Sequence, residues 1–241
     1  MNKKLRILIS GGCGDLSTHL QAENREYDLY TPPKKEMDIR KTEDIEKAIN
    51  YFSPHYFLHC AALTSPMAIH EKNPILSMQT NIIGTANISA LCVKHHMKLI
   101  YISTDYVYPG TKGDYKEDDG LNPFTNYGWS KLGGECSVKM CPDHLILRLA
   151  MFEKPFPHPK ALIDMIKSPI YVDDVAKIIF QLLDEQGTIN VGGKAQSIFD
   201  FAKKNNPNVG KIMLNEIRDV NMATDSSMNL DKLKKVLNNE N

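Results

Sequence analysis

ILISGGCGDLSTHL, residues 7–20, is the stretch that decides the fold class of this chain. An apolar run ends at Ser10, a cluster of glycines follows, and the next residues have the pattern of a helix. A strand, a glycine-rich turn and a helix N-terminus in this order direct backbone N–H groups toward an anion, typically the pyrophosphate of a dinucleotide. The spacing is Gly11-x-x-Gly14-x-x-Ser17, so a serine stands where a third glycine usually allows close packing of helix on strand.

Short apolar runs alternate with amphipathic stretches along the rest of the chain. This alternation is typical of βαβ units with a parallel sheet. We predict strands at Leu5–Ser10, Tyr27–Tyr30, Tyr56–Cys60, Lys98–Ser103, His144–Arg148 and Thr188–Val191, and helices at about 14–23, 42–52, 74–95, 126–140, 172–185, 197–204 and 231–237. The segment Thr104–Thr125 has no predicted structure of its own, and loops of about twenty residues are often functional or disordered.

Composition limits the class of protein. A length of 241 residues suits one α/β domain, and 29 lysines and arginines balance 29 aspartates and glutamates, so no global field recruits nucleic acid or an anionic membrane. The five cysteines are scattered and never form Cys-x-x-Cys, which argues against a disulfide framework and a zinc site. No apolar run approaches a membrane span or a signal h-region. We expect a soluble cytoplasmic protein that binds a small molecule or a protein, with no metal, nucleic acid or membrane partner.

The end of the second predicted strand bears on cofactor preference. An NAD enzyme places an acid there for the ribose 2′-hydroxyl, whereas this chain reads TPPKK over residues 31–35. Lys34 and Lys35 favour a 2′-phosphate and NADP(H), although a solvated turn is a nearly equal interpretation and NAD(H) stays open. Asp38 and Ile39 are placed to border the adenine.

The spacing Tyr-x-x-x-Lys occurs at 30–34, 108–112 and 127–131. Prolines, or a proline and a glycine, interrupt the first two, so neither can be a helix that stacks the two side chains. In the third, positions i and i+4 lie on one helix face. A Lys131 ammonium there is expected to lower the pKa of Tyr127 and make it a proton donor near neutrality. The alternative is an ordinary amphipathic Tyr–Lys pair.

Further polar residues join this pair. Ser103 and Thr104 follow the fourth strand at its C-terminal end, where ligands of open α/β sheets bind, so a hydroxyl there can hold a substrate carbonyl oxygen. Asn81, on the long third helix, supplies an amide that can order a proton relay. Together with Tyr127 and Lys131 these residues form one constellation.

The motifs resemble an extended short-chain dehydrogenase/reductase. They are the glycine-rich turn, HCAALTSP (59–66), NIIGT (81–85), the stretch from ISTDYVYPG to KLGGE (102–135) and SPIYVDDVA (168–176). More narrowly, the chain resembles the dTDP-4-dehydrorhamnose reductase family, which is related to the NADP-binding regulatory β subunit of methionine adenosyltransferase. The resemblance implies an α/β fold, a Rossmann doubly wound parallel sheet with a small, trimmed C-terminal substrate lobe. The chain would then be a single NAD(P)-binding domain, 1–241, with its core at about 1–150 and 170–193 and its lobe at about 151–169 and 194–241.

The resemblance also implies roles for residues. Thr104 becomes the hydroxyl partner, Tyr127 the general acid, Lys131 its modulator and a ligand of the nicotinamide ribose, and Asn81 the fourth catalytic member. The implied cofactor-binding residues are Gly11, Gly12, Cys13, Gly14, Asp15, Leu16, Thr31, Lys34, Asp38, Ile39, Cys60, Ala61, Ala62, Ser103, Tyr127 and Lys131. The implied reaction is the NADP(H)-dependent reduction of a keto sugar, in the form of a nucleotide-linked 4-keto-6-deoxyhexose. A homodimer stays open.

Two departures from the family pattern support other functions. The stretch between Arg148 and SPIYVDDVA is shorter than in the family, so the lobe is expected to be trimmed. The family's C-terminal Arg-Pro-x-x-Ser-x-Leu-Asp aligns with residues 222–229, where Met222 replaces an arginine suited to a phosphate. A non-catalytic NADP-binding regulatory subunit is therefore an alternative. A nucleotide-sugar epimerase or dehydratase on the same scaffold is a second, enzymatic alternative.

Overall fold

The centre of the molecule is a parallel β-sheet. The computed structural model describes residues 4–218 and 222–238, and within these ranges six strands form a sheet in the order β2-β1-β3-β4-β5-β10, with every neighbouring pair parallel. The strands are β1 (Arg6–Ser10), β2 (Asp28–Tyr30), β3 (Tyr56–His59), β4 (Lys98–Thr104), β5 (His144–Leu149), β6 (Met151–Phe152), β7 (Lys160–Leu162), β8 (Ile166–Lys167), β9 (Ile170–Tyr171), β10 (Gly187–Val191), β11 (Gln196–Ser197) and β12 (Gly210–Ile212). The six predicted strands and the doubly wound α/β fold class are confirmed.

Helices connect the strands. They are α1 (Asp15–Glu23), α2 (Thr42–Phe52), α3 (Ala68–Lys72), α4 (Pro74–Ser77), α5 (Gly84–Lys94), α6 (Asn126–Val138), α7 (Val172–Gln181), α8 (Ile198–Lys203) and α9 (Asp231–Asn238). The single helix predicted over 74–95 contains a π-helical turn, Met78–Ile83, between α4 and α5. Such turns are frequent at functional sites, and this one carries Asn81.

Both faces of the sheet are covered, which explains why its strands read as continuous apolar runs. Ile7 and Ile9 of β1 point into a cluster built with α1 and α7, and Leu8 between them points into a second cluster built with α2, α5 and α6. All three side chains are fully buried. Burying an aliphatic side chain contributes roughly 1.5–3 kcal/mol, so these runs fix the register of the strands.

The chain changes direction across the sheet between β1 and β3. From β1 it moves outward to β2, and from β3 it moves the other way through β4 and β5 to β10. The crevice outside the carboxyl ends of β1 and β3 is therefore the topological switch point, where ligands of open α/β sheets bind.

A smaller lobe forms from short strand pairs and α8. Its pairs are β6 with β9, β7 with β12 and β8 with β11, and its core includes Phe156, Met165, Ile198 and Phe199. These strands are two or three residues long and pair with distant segments, so periodicity did not predict them. Helix α9 packs on the central sheet, because Leu233 belongs to the cluster of α1 and α7.

The long segment 104–125 is more structured than predicted. A 3₁₀ turn at Asp105–Val107 opens it, and Tyr115 forms a bridge with Met228 of the C-terminal segment. Backbone hydrogen bonds join the two segments, for example from Thr224 to the Gly110 carbonyl at 3.0 Å. The sequence pattern of the loop could not reveal partners more than a hundred residues away.

Across the described part of the chain, no helix is long and apolar enough to cross a membrane.

Candidate active site

The glycine-rich turn is held against the ends of two strands. Gly11 has φ +78°, and a Cβ on it would lie 3.0 Å from the backbone of Ala61, just after β3. A Cβ on Gly12 would lie 2.1 Å from the carbonyl oxygen of Thr31, just after β2. Glycine is required at both positions, because backbone atoms occupy the space a side chain would need. Gly14 is the N-cap of α1 and provides no side chain to the first-turn N–H groups. These groups can therefore face an anion, as the pyrophosphate of a dinucleotide requires.

Replacing Gly12 by alanine is expected to damage both stability and dinucleotide binding. The new methyl group meets backbone rather than a movable side chain, so the turn and the end of β2 must separate, at a cost of about 1–3 kcal/mol. NADPH affinity should fall at least about tenfold, which is the effect of about 1.4 kcal/mol. Calorimetric NADPH titration and thermal unfolding measure the two effects. Gly120→Ala is the matched control, since nothing lies within 4 Å of its added methyl. If Gly12→Ala bound NADPH with wild-type affinity, the glycine-rich turn would not be the dinucleotide-binding site.

The other predicted cofactor residues surround this crevice in different ways. Cys13 and Asp15 are exposed at the turn, whereas the Leu16 side chain is buried in the core and leaves only its backbone for a ligand. Ser17 is buried too, and its hydroxyl has no hydrogen-bond partner among the described residues. The helix thus packs closely on the sheet without a third glycine.

The rim at β2 carries charge. Lys34 is exposed, and Thr31 donates a hydrogen bond to Gln21 at 3.3 Å. Arg40 forms a bidentate ion pair with Asp38, in which its Nε and Nη2 donate to the two carboxylate oxygens. These hydrogen bonds outweigh burial and lower the pKa of Asp38 to about 2. Ile39 beside it is buried, and Cys60, Ala61 and Ala62 follow β3 at the other side of the crevice.

Tyr127 lies in the first turn of α6, as predicted from its helical context. Thr125 caps the helix by accepting a hydrogen bond from Gly128 N at 3.0 Å. The Tyr127 ring lies between two aromatic rings, with centroid distances of 5.0 Å to His70 and 5.7 Å to Tyr106. This packing holds the partly buried phenol at the carboxyl end of β4.

The predicted effect of Lys131 on Tyr127 is wrong in this structure. Burial raises the pKa of Tyr127 above its ordinary value, the side-chain hydrogen bond with Thr104 lowers it, and the Asp105 charge raises it again. Lys131 Nζ instead donates to the Ile102 carbonyl at 2.6 Å and lies 4.1 Å from the ring centroid of Tyr101. The ammonium is thus engaged with β4 rather than with the phenol.

The pKa of Lys131 is far below its ordinary value. Its side chain is buried, and burial lowers its pKa to about 7 against the opposing effects of Glu135 and Cys60. An amine of this kind gains and loses protons near neutrality, as acid–base chemistry at neutral pH requires.

The two hydroxyls after β4 have different partners. Ser103 donates to Glu135 Oε1 at 2.6 Å and belongs to a buried network with Arg148. Thr104 caps the 3₁₀ turn by accepting from Tyr106 N and interacts with Tyr127. Thr104 is therefore the hydroxyl that the structure brings to the candidate acid.

Asn81 lies beneath α6 and not at the phenol. Its amide exchanges hydrogen bonds with the Leu63 backbone at 2.8 and 2.9 Å, and its Nδ2 donates to Ser130 Oγ at 2.9 Å. Ser130 in turn donates to the Tyr127 carbonyl at 2.8 Å. Asn81 thus fixes the start of α6 against the segment after β3.

A buried histidine was not among the predicted site residues. His59 Nδ1 lies 2.8 Å from Ser10 Oγ and Nε2 lies 3.0 Å from Thr85 Oγ1, which donates to the Asn81 carbonyl. Burial, with a smaller contribution from Lys131, lowers the pKa of His59 well below its usual range. The neutral ring links the end of β1 to the π-helical turn. Its position before Cys60-Ala61-Ala62 was the only signal in the sequence.

Comparison with known proteins identifies a family model, two related sequences and a solved structure that this chain resembles. A family model described as the RmlD substrate binding domain matches residues 5–154. The chain is similar to methionine adenosyltransferase 2 subunit beta of Mus musculus, with 28% identity over 229 residues, 79% of this chain and 68% of that protein. It is 27% identical over 200 residues to the dTDP-4-dehydrorhamnose reductase of Aggregatibacter actinomycetemcomitans, covering 75% of this chain and 68% of that protein. The crystal structure of dTDP-4-dehydrorhamnose reductase from Bacillus anthracis in complex with NADP matches with a TM-score of 0.89 and 30% identity, covering 97% of this chain and 93% of that one.

Proposed function

This chain belongs to the RmlD substrate binding domain family, and from that premise we propose that it is an NADP(H)-dependent reductase of a nucleotide-linked 4-keto-6-deoxyhexose. The observation that carries the proposal is that Tyr127 interacts with Thr104 at the carboxyl end of β4, where Lys131 donates to the Ile102 carbonyl of the same strand. The similar Bacillus anthracis reductase was crystallised with NADP, which supports NADP(H) as the cofactor here.

Tyr127 is the proton donor in this proposal. Its raised pKa keeps the phenol protonated at neutral pH, and the interaction with Thr104 offsets part of that rise, which eases loss of the proton. Bound NADPH supplies the hydride that reduces the keto carbon. Tyr127 donates its proton to the keto oxygen as negative charge develops there.

The remaining polar residues position the cofactor and the helix that carries this acid. Lys131, whose amine lies at the carboxyl end of β4 and has a pKa lowered to about 7, is suited to hold the nicotinamide ribose. Asn81 acts through Ser130 and keeps α6 in place.

Lys34→Glu is expected to reduce the preference for NADPH over NADH. Lys34 is exposed at the end of β2, where the chain has no acid for a ribose hydroxyl. A charge-assisted hydrogen bond contributes about 1.5–3 kcal/mol, so the NADPH-to-NADH affinity ratio should fall about 10- to 100-fold. Titrating both cofactors calorimetrically gives the ratio. Lys41→Glu changes an exposed lysine at the start of α2 and is the control. An unchanged ratio in Lys34→Glu would show that the lysine is only a solvated turn residue.

A regulatory, non-catalytic subunit is the second candidate. It is supported by the 28% identity to methionine adenosyltransferase 2 subunit beta over 229 residues and by Met222, which stands where the reductase pattern has a phosphate-binding arginine. Such a subunit would keep the cofactor crevice but reduce no sugar.

NADPH oxidation against a panel of nucleotide-linked 4-keto-6-deoxy sugars tests the proposal. A reductase gives sugar-dependent oxidation and a reduced sugar product in equal amounts. Calorimetric binding of NADPH in the same preparation shows that the protein is competent. Binding without oxidation on every sugar would reject the reductase and favour the regulatory subunit.

A further inference from the structure

A buried charge cluster joins the C-terminal lobe to the turn that follows β4. Lys167 of β8 forms an ion pair with Asp105 Oδ2, and both side chains are almost completely buried. Ser226 Oγ donates to the same carboxylate oxygen at 2.6 Å. Thr104 Oγ1 donates to the other oxygen, Oδ1, at 3.2 Å. One carboxylate therefore connects two lobe residues to the hydroxyl partner of the candidate acid.

We propose that Lys167 and Ser226 act as positioning residues for proton transfer at Tyr127, through their shared hold on Asp105. The inference rests on the proposed function, in which Tyr127 is the proton donor. It adds a dependence of that donor on the docking of the lobe.

The first part of the argument is orientation. Asp105 immediately follows Thr104, and its carboxylate fixes where the Thr104 hydroxyl points. Lys167 and Ser226 fix the carboxylate in turn, because each donates to its second oxygen. Loss of either donor frees Asp105 to rotate, so the Thr104 hydroxyl beside Tyr127 loses its fixed orientation.

The second part is charge. The Asp105 carboxylate raises the pKa of Tyr127, and Lys167 offsets that charge. Lys167 Nζ also lies 3.9 Å from the ring centroid of Tyr106, whose edge meets the Tyr127 ring. Although burial by itself lowers the pKa of Lys167, the Asp105 charge raises it above its ordinary value, so the lysine stays protonated.

The other titratable groups around Tyr127 hold a constant state above neutral pH. His70 of α3 has a pKa lowered by burial, and Lys131 of α6 has a pKa of about 7. Glu71 accepts hydrogen bonds from the backbone N and Nδ2 of Asn126 at the start of α6. Above about pH 9 His70 and Lys131 stay neutral, and burial raises the pKa of the neighbouring Tyr106 phenol, which also stays neutral. A shift in the Tyr127 titration there reports on Asp105 and Lys167.

The contacts of Asp105 depend on the packing of the C-terminal lobe, because Lys167 and Ser226 belong to it. Ser226 lies in a C-terminal segment that is hydrogen-bonded on both sides. Asp225 N donates to the Gly110 carbonyl in the long loop, and Ser226 N donates to the Ile166 carbonyl of β8. When lobe and segment are docked, Asp105 is neutralised and Thr104 is oriented. When they separate, both effects are lost, so proton donation depends on the assembled lobe.

The test places 3,5-difluorotyrosine at position 127. The fluorines make the phenol more acidic, which brings its titration into a range where the protein stays folded, and the fluorine resonance reports its ionisation without turnover. In Lys167→Met the apparent pKa should rise by about one unit, the effect of a unit charge about 10 Å away at an effective dielectric of about 20. Lys167→Arg keeps the charge and should restore the wild-type value to within a few tenths.

Lys154→Met is the matched control. Lys154 belongs to the same lobe and pairs with Asp173 at 3.2 Å, but Lys154 is exposed and its partner is not Asp105. Its titration should match the wild type. A folded Lys167→Met protein with an unchanged apparent pKa would overturn the inference. If Lys167→Met does not fold, Ser226→Ala removes one donor, and a rise of a few tenths is expected; no rise overturns the inference there too.

The same variants separate this inference from the proposed function. Sugar-dependent turnover of the wild type with no shift in Lys167→Met keeps the reductase and rejects the positioning role. A shift in a protein that reduces none of the sugars keeps the coupling of lobe and phenol and rejects the reductase. Where both hold, kcat should fall about tenfold in Lys167→Met and recover in Lys167→Arg.

Discussion

Tyr127→Phe is expected to lower kcat about 10²- to 10⁴-fold while NADPH affinity stays at the wild-type value. Removing one general acid costs a rate factor of this size. The ring of Tyr127 packs between His70 and Tyr106, and phenylalanine preserves that packing. Only the proton and the hydrogen bond with Thr104 are lost. Steady-state kinetics with a saturating nucleotide sugar, together with calorimetric NADPH binding, measure the two effects.

Tyr30→Phe is the control for this variant. Tyr30 and Lys34 have the same sequence spacing as Tyr127 and Lys131, but Tyr30 ends β2 and prolines follow it. Its ring packs on Tyr51 and Phe52, far from the carboxyl end of β4. The substitution should leave kcat within about twofold. If Tyr127→Phe kept more than a tenth of the wild-type kcat, another group would have to be the acid.

Glu135→Ala is expected to destabilise the protein by about 3–5 kcal/mol. Arg148 donates through Nε and Nη2 to the two oxygens of Glu135 at 3.0 and 2.8 Å, and neither side chain is exposed. Removing one member of a buried ion pair leaves the other charge unpaired away from water. Arg148 also donates to Tyr108 OH and the Glu117 carbonyl, so the loss spreads into the long loop. Chemical unfolding measures the change in free energy.

An exposed ion pair gives the matched comparison. Lys94 and Glu46 join α5 to α2 at 2.5 Å, with 62% and 34% of their side chains exposed. Lys94→Ala should cost less than about 1 kcal/mol, because water solvates both partners. The double variant Glu135→Met, Arg148→Met should be more stable than Glu135→Ala, since it leaves no unpaired charge. A Glu135→Ala protein within about 1 kcal/mol of the wild type would contradict a structural role for the pair.

The fold was predictable because its signals are local. Ile7, Leu8 and Ile9 form a continuous apolar run, and Gly11 and Gly12 stand where backbone atoms leave no room for a side chain. Tyr127 was selected among three tyrosines because the sequence after it can form a helix. Each of these signals lies within about ten residues, which is the range over which periodicity and turn chemistry act.

The electrostatics of the site were not predictable. Asp105 and Lys167 are 62 residues apart and meet only after the lobe has packed. The pKa of Tyr127 depends on how deeply the ring is buried, and Lys131 donates to Ile102 on another strand. Helical spacing places Tyr127 and Lys131 on one face but does not say which partner each polar group selects.

The most direct test of the reductase proposal follows the hydride. The protein is incubated with NADPH deuterated at the transferable position and with a nucleotide-linked 4-keto-6-deoxyhexose, and the sugar product is analysed by mass spectrometry and NMR. A reductase places one deuterium on carbon 4 of the product sugar, and Tyr127→Phe abolishes this transfer without loss of NADPH binding. NADPH binding with no deuterium in any sugar of the panel would contradict the proposal and identify a cofactor-binding protein that does not reduce these sugars.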